Sequence, residues 1–319
     1  MELTKQLELL KQLCEIDGVS GGEEKVADWL KNHLPEDCKV RTDALGNLIC
    51  EKKGKQTPSR NRINALLQRL GLPDDRYFAL LSKNELEMEA LQKEIVACNA
   101  TEKVPEGFEK LAQFEKLADP DDQIAQQFAL RSRVLLGRLD GRYTPLEQID
   151  LLMQAIRLTV PRFDLESIES FLYTRDEITI INQIGLAYSD AGQNKKAAEI
   201  YYQLLKYVRK HFKETITSIG VLPLVLYNYA RVLDLCGRYE EGTALAKEGR
   251  EACIQYGHYQ ELPRCLEIEA ECRHFMGDDE ISKELYYQSY YLCKVIGYQI
   301  GLEVVKKEAK EYLNIDFMS

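Results

Sequence analysis

Histidine is scarce in this chain. The four present, His33, His211, His258 and His274, lie far apart, and none stands at the spacing a zinc site requires. The nine cysteines include no Cys-x-x-Cys pair, and most fall at apolar helix positions (Cys14, Cys98, Cys236, Cys253, Cys293). They read as reduced core side chains rather than a disulfide framework or a metal cage. No glycine-rich phosphate loop and no Gly-x-Ser-x-Gly elbow occurs. Asp121-Asp122 and Asp278-Asp279 fall in turns, where they serve as caps or solvated charges. An enzyme is therefore not expected, nor a cofactor or a resident metal. Long apolar runs are missing as well, so no membrane span and no signal peptide are expected, and the location reads as cytoplasmic. Positive charge is also short. Forty-two Lys and Arg against 52 Asp and Glu leave a net charge of -10, which argues against a protein that coats nucleic acid.

With 45% hydrophobic residues the chain is able to bury a substantial core, and its organisation changes along its length. Residues 1–55 form one segment. Leu3, Leu7, Leu10 and Leu13 recur at helical spacing, as do Val26, Leu30 and Leu34, with Pro35 closing the second helix. Ser20 followed by Glu23 has capping-box spacing. Lys39–Thr42 and Leu48–Glu51 predict two short strands joined through Asp43-Ala-Leu-Gly46-Asn47. Gly18-Val-Ser20-Gly-Gly-Glu-Glu24 and Asp43-Ala-Leu-Gly46-Asn47-Leu resemble the amino-terminal segment of the dinuclear-metal glutamyl aminopeptidases. That resemblance would imply a residual metal-dependent glutamyl aminopeptidase fragment. The His-x-Asp that begins the family's metal site has no counterpart after Lys55.

Residues 56–82 are a seam. Ser59 is placed to cap a helix over Arg60–Leu70 with Ile63, Leu66, Leu67 and Leu70 on one face, ended by Gly71-Leu-Pro73. The phrase Thr57-Pro58-Ser59-Arg60, then Ala65-Leu-Leu-Gln-Arg-Leu-Gly-Leu72-Pro, resembles the last helix of an XRE-type helix-turn-helix domain. The DNA-reading helices that precede it in that family are missing, and residues 1–55 carry nine basic against eleven acidic side chains. DNA binding is not expected without those helices.

From residue 83 to 319 the pattern is almost entirely helical. Inter-helix turns are predicted at Pro105-Glu-Gly107, Asp119–Asp122, Asp140–Tyr143, Gly192–Asn194, Gly237–Tyr239 and Gly277–Asp279. The last three glycines lie 45 and 40 residues apart, longer than the roughly 34 of a standard tetratricopeptide (TPR) repeat, so elongated helices are expected. Within Asn182–Tyr201, Gly185, Tyr188, Ala197 and Tyr201 place small residues where two helices cross, with aromatics beside them. Ala230 and Ala270 take the place of Gly185 in later copies, and Gly242 and Ser282 that of Ala197. This unit resembles a TPR hairpin. Leu151…Ala155-Ile-Arg-Leu-Thr-Val-Pro161, Leu222–Asn228 and Cys253–Gly257 resemble the TPR domains of XRE-type, peptide-sensing Gram-positive regulators. The expected fold is mostly α, a TPR-like superhelix of helix hairpins with a small α/β amino-terminal segment.

In such an array the first helix of each hairpin lines the concave side. Counting from the turn glycines puts Arg131, Arg138, Thr179, Asn182, Tyr227, Arg231, Arg264, Glu267 and His274 on that lining, with Asn228 close to it. Asn amides both donate to and accept from an extended peptide backbone, Arg clamps carboxylates, and Tyr offers apolar area with a polar tip. Arg131, Arg138, Asn182, Tyr227, Asn228, Arg231 and Arg264 are the candidate ligand residues, for a short peptide or a protein partner. A scaffolding array that ignores short peptides is the alternative. Tyr286 and Tyr290 share one helix face, and Tyr287 and Tyr291 another. One pair is expected in the core and the other against a second subunit, in keeping with the homodimers that the regulator resemblance implies.

Overall fold

The computed structural model describes residues 24–33, 38–42, 48–52, 60–69, 83–211 and 221–317. The chain parts into two compact units, Met1–Pro58 and Ser59–Ser319. In the first, helix α1 (Glu24–His33) precedes an antiparallel hairpin of β1 (Cys38–Thr42) and β2 (Leu48–Lys52), in which Val40 faces Cys50 and Thr42 faces Leu48. The aminopeptidase-like phrases at 18–24 and 43–48 lie outside the described residues apart from Glu24 and Leu48, and so does the Ser20 capping position.

The second unit holds helices joined by short turns, with no strand among its described residues. It runs α2 (Arg60–Arg69), α3 (Lys83–Ala100), α4 (Val104–Leu117), α5 (Gln123–Leu139), α6 (Pro145–Thr159), a 3-10 segment (Leu165–Ser170), α7 (Arg175–Asp190), α8 (Asn194–His211), α9 (Val221–Leu235), α10 (Tyr239–Tyr256), α11 (Leu262–Phe275), α12 (Asp279–Ile296) and α13 (Gln299–Leu313). Consecutive helices pack as antiparallel hairpins, and α7, α9, α11 and α13 lie side by side as an inner row. This is a TPR-like superhelix.

Local chemistry explains where the hairpins turn. Gly192, Gly237 and Gly277 hold φ of 74°, 71° and 84°, a left-handed conformation that glycine adopts without a Cβ penalty. Each sits in the same pair of bonds. At the first, the Gly192 N–H donates to Ser189 O at 2.9 Å and the Gln193 N–H to Tyr188 O at 2.9 Å, satisfying carbonyls at the helix end. Helix starts are equally legible, since Thr144 and Glu147, and Thr174 and Glu177, each form a reciprocal capping box. One turn differs from expectation. Pro105 and Gly107 belong to α4, and the chain reverses at residues 101–103, with Glu102 at φ 56°. Proline suits the first helical turn, where its missing N–H costs nothing. Gly107 admits Leu136, whose Cδ2 lies 2.6 Å from where a Cβ would stand.

Small residues set the crossing of the two helices in each hairpin. At Gly185 a Cβ would stand 2.7 Å from Cε2 of Tyr201. In the next copy Gly242 lies against the Ala230 carbonyl, and in the third the Ser282 hydroxyl donates to Ala270 O at 2.7 Å. The core is a succession of local clusters rather than one centre. Leu111, Phe114 and Leu136 form the first, Ile156, Tyr173, Ile184, Tyr201 and Leu226 the largest, and Cys265, Tyr286, Tyr290 and Val305 the last. Each cluster draws on neighbouring hairpins, as expected of a solenoid.

Candidate functional site

The inner row encloses a cavity of about 290 Å³. Arg138 of α5, Leu186 of α7, Tyr227, Asn228 and Arg231 of α9, and Pro263, Arg264 and Glu267 of α11 form one side. The end of α12 and the first turns of α13 close it with Cys293, Tyr298, Ile300 and Val304. Five of the seven candidate ligand residues, Arg138, Tyr227, Asn228, Arg231 and Arg264, therefore meet in one place.

The other two stand elsewhere. Asn182 lies behind the lining, buried, and its Oδ1 accepts a hydrogen bond from the Asn228 side-chain amide at 2.9 Å. An unpaired buried amide is costly, so this bond fixes how Asn228 presents its remaining polar atoms to the cavity. Arg131 lines a different cavity, beside Gln127, Thr159 and Glu177, and pairs with Asp176 at 2.9 Å. Arg131 shares a face of α5 with Arg138 but stands seven residues, about two turns, before it, and so opens on the neighbouring cavity. Thr179 donates its hydroxyl to the Arg175 carbonyl at 2.9 Å, and His274 pairs with Asp279 and stacks on Tyr312. Near the Arg131 cavity, α2 docks by Arg69 on the buried Glu177 carboxylate, and Gln68 Oε1 accepts from the Arg175 N–H at 3.0 Å.

The three guanidiniums of the cavity differ in their commitments. Arg138 grips Asp190 through Nε at 3.1 Å and a terminal nitrogen at 2.8 Å. Arg264 donates twice to the Tyr298 hydroxyl, at 2.9 and 2.6 Å, and lies over its ring at 5.0 Å. Among the described residues Arg231 forms no ion pair and no hydrogen bond.

Behind this lining sits a feature the sequence pattern did not single out. Glu267 and Glu271 of α11 and Glu308 of α13 bring one carboxylate oxygen each to within 4.8 Å of one another. Burial drives all three upward from the usual carboxylate range; repulsion from neighbouring carboxylates adds to it for Glu267 and Glu308, and the hydrogen bond these two share raises Glu267 while lowering Glu308. Glu308 is pushed up to about 7. Tyr312 donates to Glu271 at 2.9 Å. The group has the oxygen donors of a hard-cation site, but its burial favours protons shared between the carboxyls. Asp234, also buried, is raised to about 7, and the Cys272 thiol donates to it at 3.5 Å. The i, i+4 pair Glu267 and Glu271 was visible in sequence; its convergence with Glu308 depended on how the last helix folds back.

On α12, Tyr286 and Tyr290 are buried, with Tyr290 stacked on Phe317 at 4.1 Å, while Tyr287 is partly buried and Tyr291 is 59% exposed.

No family model matches the chain, and no curated protein matches it in sequence. Solved structures do. Bacillus thuringiensis PlcR in complex with the peptide PapR7 and DNA superposes with a TM-score of 0.61 at 16% identity, over 78% of this chain and 85% of that one. PlcR in its apo form gives a TM-score of 0.56 at 16% identity, over 68% and 76%. NprR in complex with its cognate peptide NprX gives 0.39 at 12% identity, over 74% and 76%. At these identities the likeness to PlcR is one of fold, a TPR-like array shared with a protein solved with a peptide and DNA.

Proposed function

We propose that this chain binds a short peptide in the cavity of its inner helical row, as a relative of peptide-responsive transcriptional regulators that lacks the DNA-reading helices. The observation that carries the reading is the convergence of Arg138 of α5, Tyr227, Asn228 and Arg231 of α9, and Arg264 of α11 on one cavity. Asn228, steadied by Asn182, offers an amide to a peptide backbone, and Tyr227 and Leu186 offer apolar area. The likeness in fold to PlcR, solved with a peptide, supports the same reading. Binding rather than catalysis is the activity assigned, in the cytoplasm, by a homodimer that does not read DNA on its own. The test is retention of a random heptapeptide pool on the immobilised chain, followed by mass spectrometry. Asn182→Ala together with Asn228→Ala is expected to weaken retention at least about tenfold, from lost charge-free hydrogen bonds and a disordered amide. Unchanged retention rejects the site. A chain that ignores every peptide in the pool is a scaffold instead.

A further inference from the structure

The cavity's charge balance says more about what lodges in it, granted the peptide-binding reading above. Arg138 is neutralised by Asp190. Among the described residues Arg264 is hydrogen-bonded only to the Tyr298 hydroxyl. Arg231, exposed to the cavity, has no partner among the described residues. The one carboxyl in the lining, Glu267, is buried against Glu308 and Glu271, and burial holds its proton well above the usual range. Three guanidiniums and a single carboxyl thus line a cavity in a chain of net charge -10.

Size and walls narrow the ligand further. At about 290 Å³ the cavity lies at the low end of the roughly 300–1,000 Å³ typical of small-molecule sites, room for one end or one side chain of a peptide rather than its whole length. Leu186, Ile300 and Val304 add apolar surface to the same lining. We propose that the part of the ligand held here carries a carboxylate, gripped by Arg231, with apolar substance against Ile300 and Val304. A guanidinium fork matches the two oxygens of a carboxylate, and Arg231 is the one of the three with its full set of donors uncommitted. A peptide's carboxy terminus and an Asp or Glu side chain present the same oxygen pair.

Three peptide pools on the wild-type chain decide the matter. The first is a random heptapeptide pool without Asp or Glu, acetylated at the amino terminus and free at the carboxy terminus. The second is the same pool amidated, and the third is an amidated pool that includes Asp and Glu. Retention of the first at least about tenfold tighter than the second supports a carboxy-terminal anchor. If instead the third alone exceeds the second by that factor, the anchor is a side-chain carboxylate. In either case Arg231→Gln should erase the difference and Arg231→Lys restore part of it. Equal retention of all three pools overturns the assignment while leaving peptide binding intact. So does a carboxylate preference that survives Arg231→Gln. Retention of none overturns both. Because the acid and amide comparison uses the unaltered chain, it stands even if a variant fails to fold.

Discussion

Gly185→Ala is the substitution that most sharply tests how the array is held together. The added methyl would stand 2.7 Å from Cε2 and 2.9 Å from Cζ of Tyr201, closer than carbon atoms approach. Tyr201 has little room to yield. It is fully buried, its hydroxyl donates to Asn182 O at 2.7 Å, and its ring lies 6.1 Å from that of Tyr229, nearly parallel. Alanine gains about 1 kcal/mol over glycine inside a helix. Overpacking costs about 1–3 kcal/mol, and a displaced hydroxyl loses about 1 kcal/mol more. The net is a destabilisation of about 2 kcal/mol. For a unit of 261 residues this corresponds to a loss of about 4–8 °C in Tm. The measurement is thermal unfolding followed by circular dichroism, in the wild type and in Tyr201→Leu. Removing the ring opens the space the methyl needs, so in that background Gly185→Ala should become neutral or stabilising. A wild-type Tm that holds or rises, or an equal loss in both backgrounds, refutes the packing argument.

Other expectations are simpler. Glu308 and Asp234 titrate near 7 in the folded chain against ordinary values of 4.5 and 3.8. Between about 4 and 7 the folded state therefore holds protons that the unfolded state has released. Their contribution is full below that window, is lost as pH rises through it, and is level above. Glu308→Gln should flatten the fall by about 1–3 kcal/mol, seen in urea unfolding at pH 4.5 and 7.5; an unchanged pH profile would contradict it. Gly277, at φ 84° with nothing within 4 Å of a Cβ, meets only backbone strain on change to alanine. Gly277→Ala should cost about 1–2 kcal/mol and Gly277→Asn less, by thermal unfolding, and equal costs would count against the left-handed turn. Ser282→Ala removes the buried bond to Ala270 O and should cost about 1–2 kcal/mol in urea unfolding, with no loss expected if that crossing is held by packing alone.

The array was legible in sequence because its turns need glycine at positive φ and its crossings need small residues, and both leave marks at fixed spacing. Gly192, Gly237 and Gly277, with Gly185, Ala230 and Ala270 before them, carry that information by themselves. Repeat phase then brought Tyr227, Asn228, Arg231 and Arg264 to the inner row. Two of the candidates stand outside that cavity for reasons a stripe alone does not carry. Arg131 is on the same face of α5 as Arg138, but two turns along the helix place it at another cavity, a distance that a face count does not register. Asn182 is on the correct stripe but is covered by Asn228 of the following inner helix, a burial that depends on how closely two repeats approach. The walls from Tyr298, Ile300 and Val304, and the meeting of Glu308 with Glu267, come from the closing helix, which follows no repeat and so had no spacing to betray it. Pro105 and Gly107 read as a turn because both residues favour one. A proline in a first helical turn and a glycine under Leu136 satisfy the same preferences inside a helix.

The measurement that tests peptide binding in this cavity most directly is site-specific photo-crosslinking. A photoreactive amino acid replaces Val304, on the cavity wall, or Tyr202, an exposed side chain on α8 that lines a different surface. Each is irradiated with the random heptapeptide pool, and adducts are mapped by mass spectrometry. Peptide adducts at 304, competed away by unlabelled pool, with none at 202, are the result predicted. Equal labelling at both positions, or labelling at 202 alone, would contradict a ligand seated among Arg138, Tyr227, Asn228, Arg231 and Arg264.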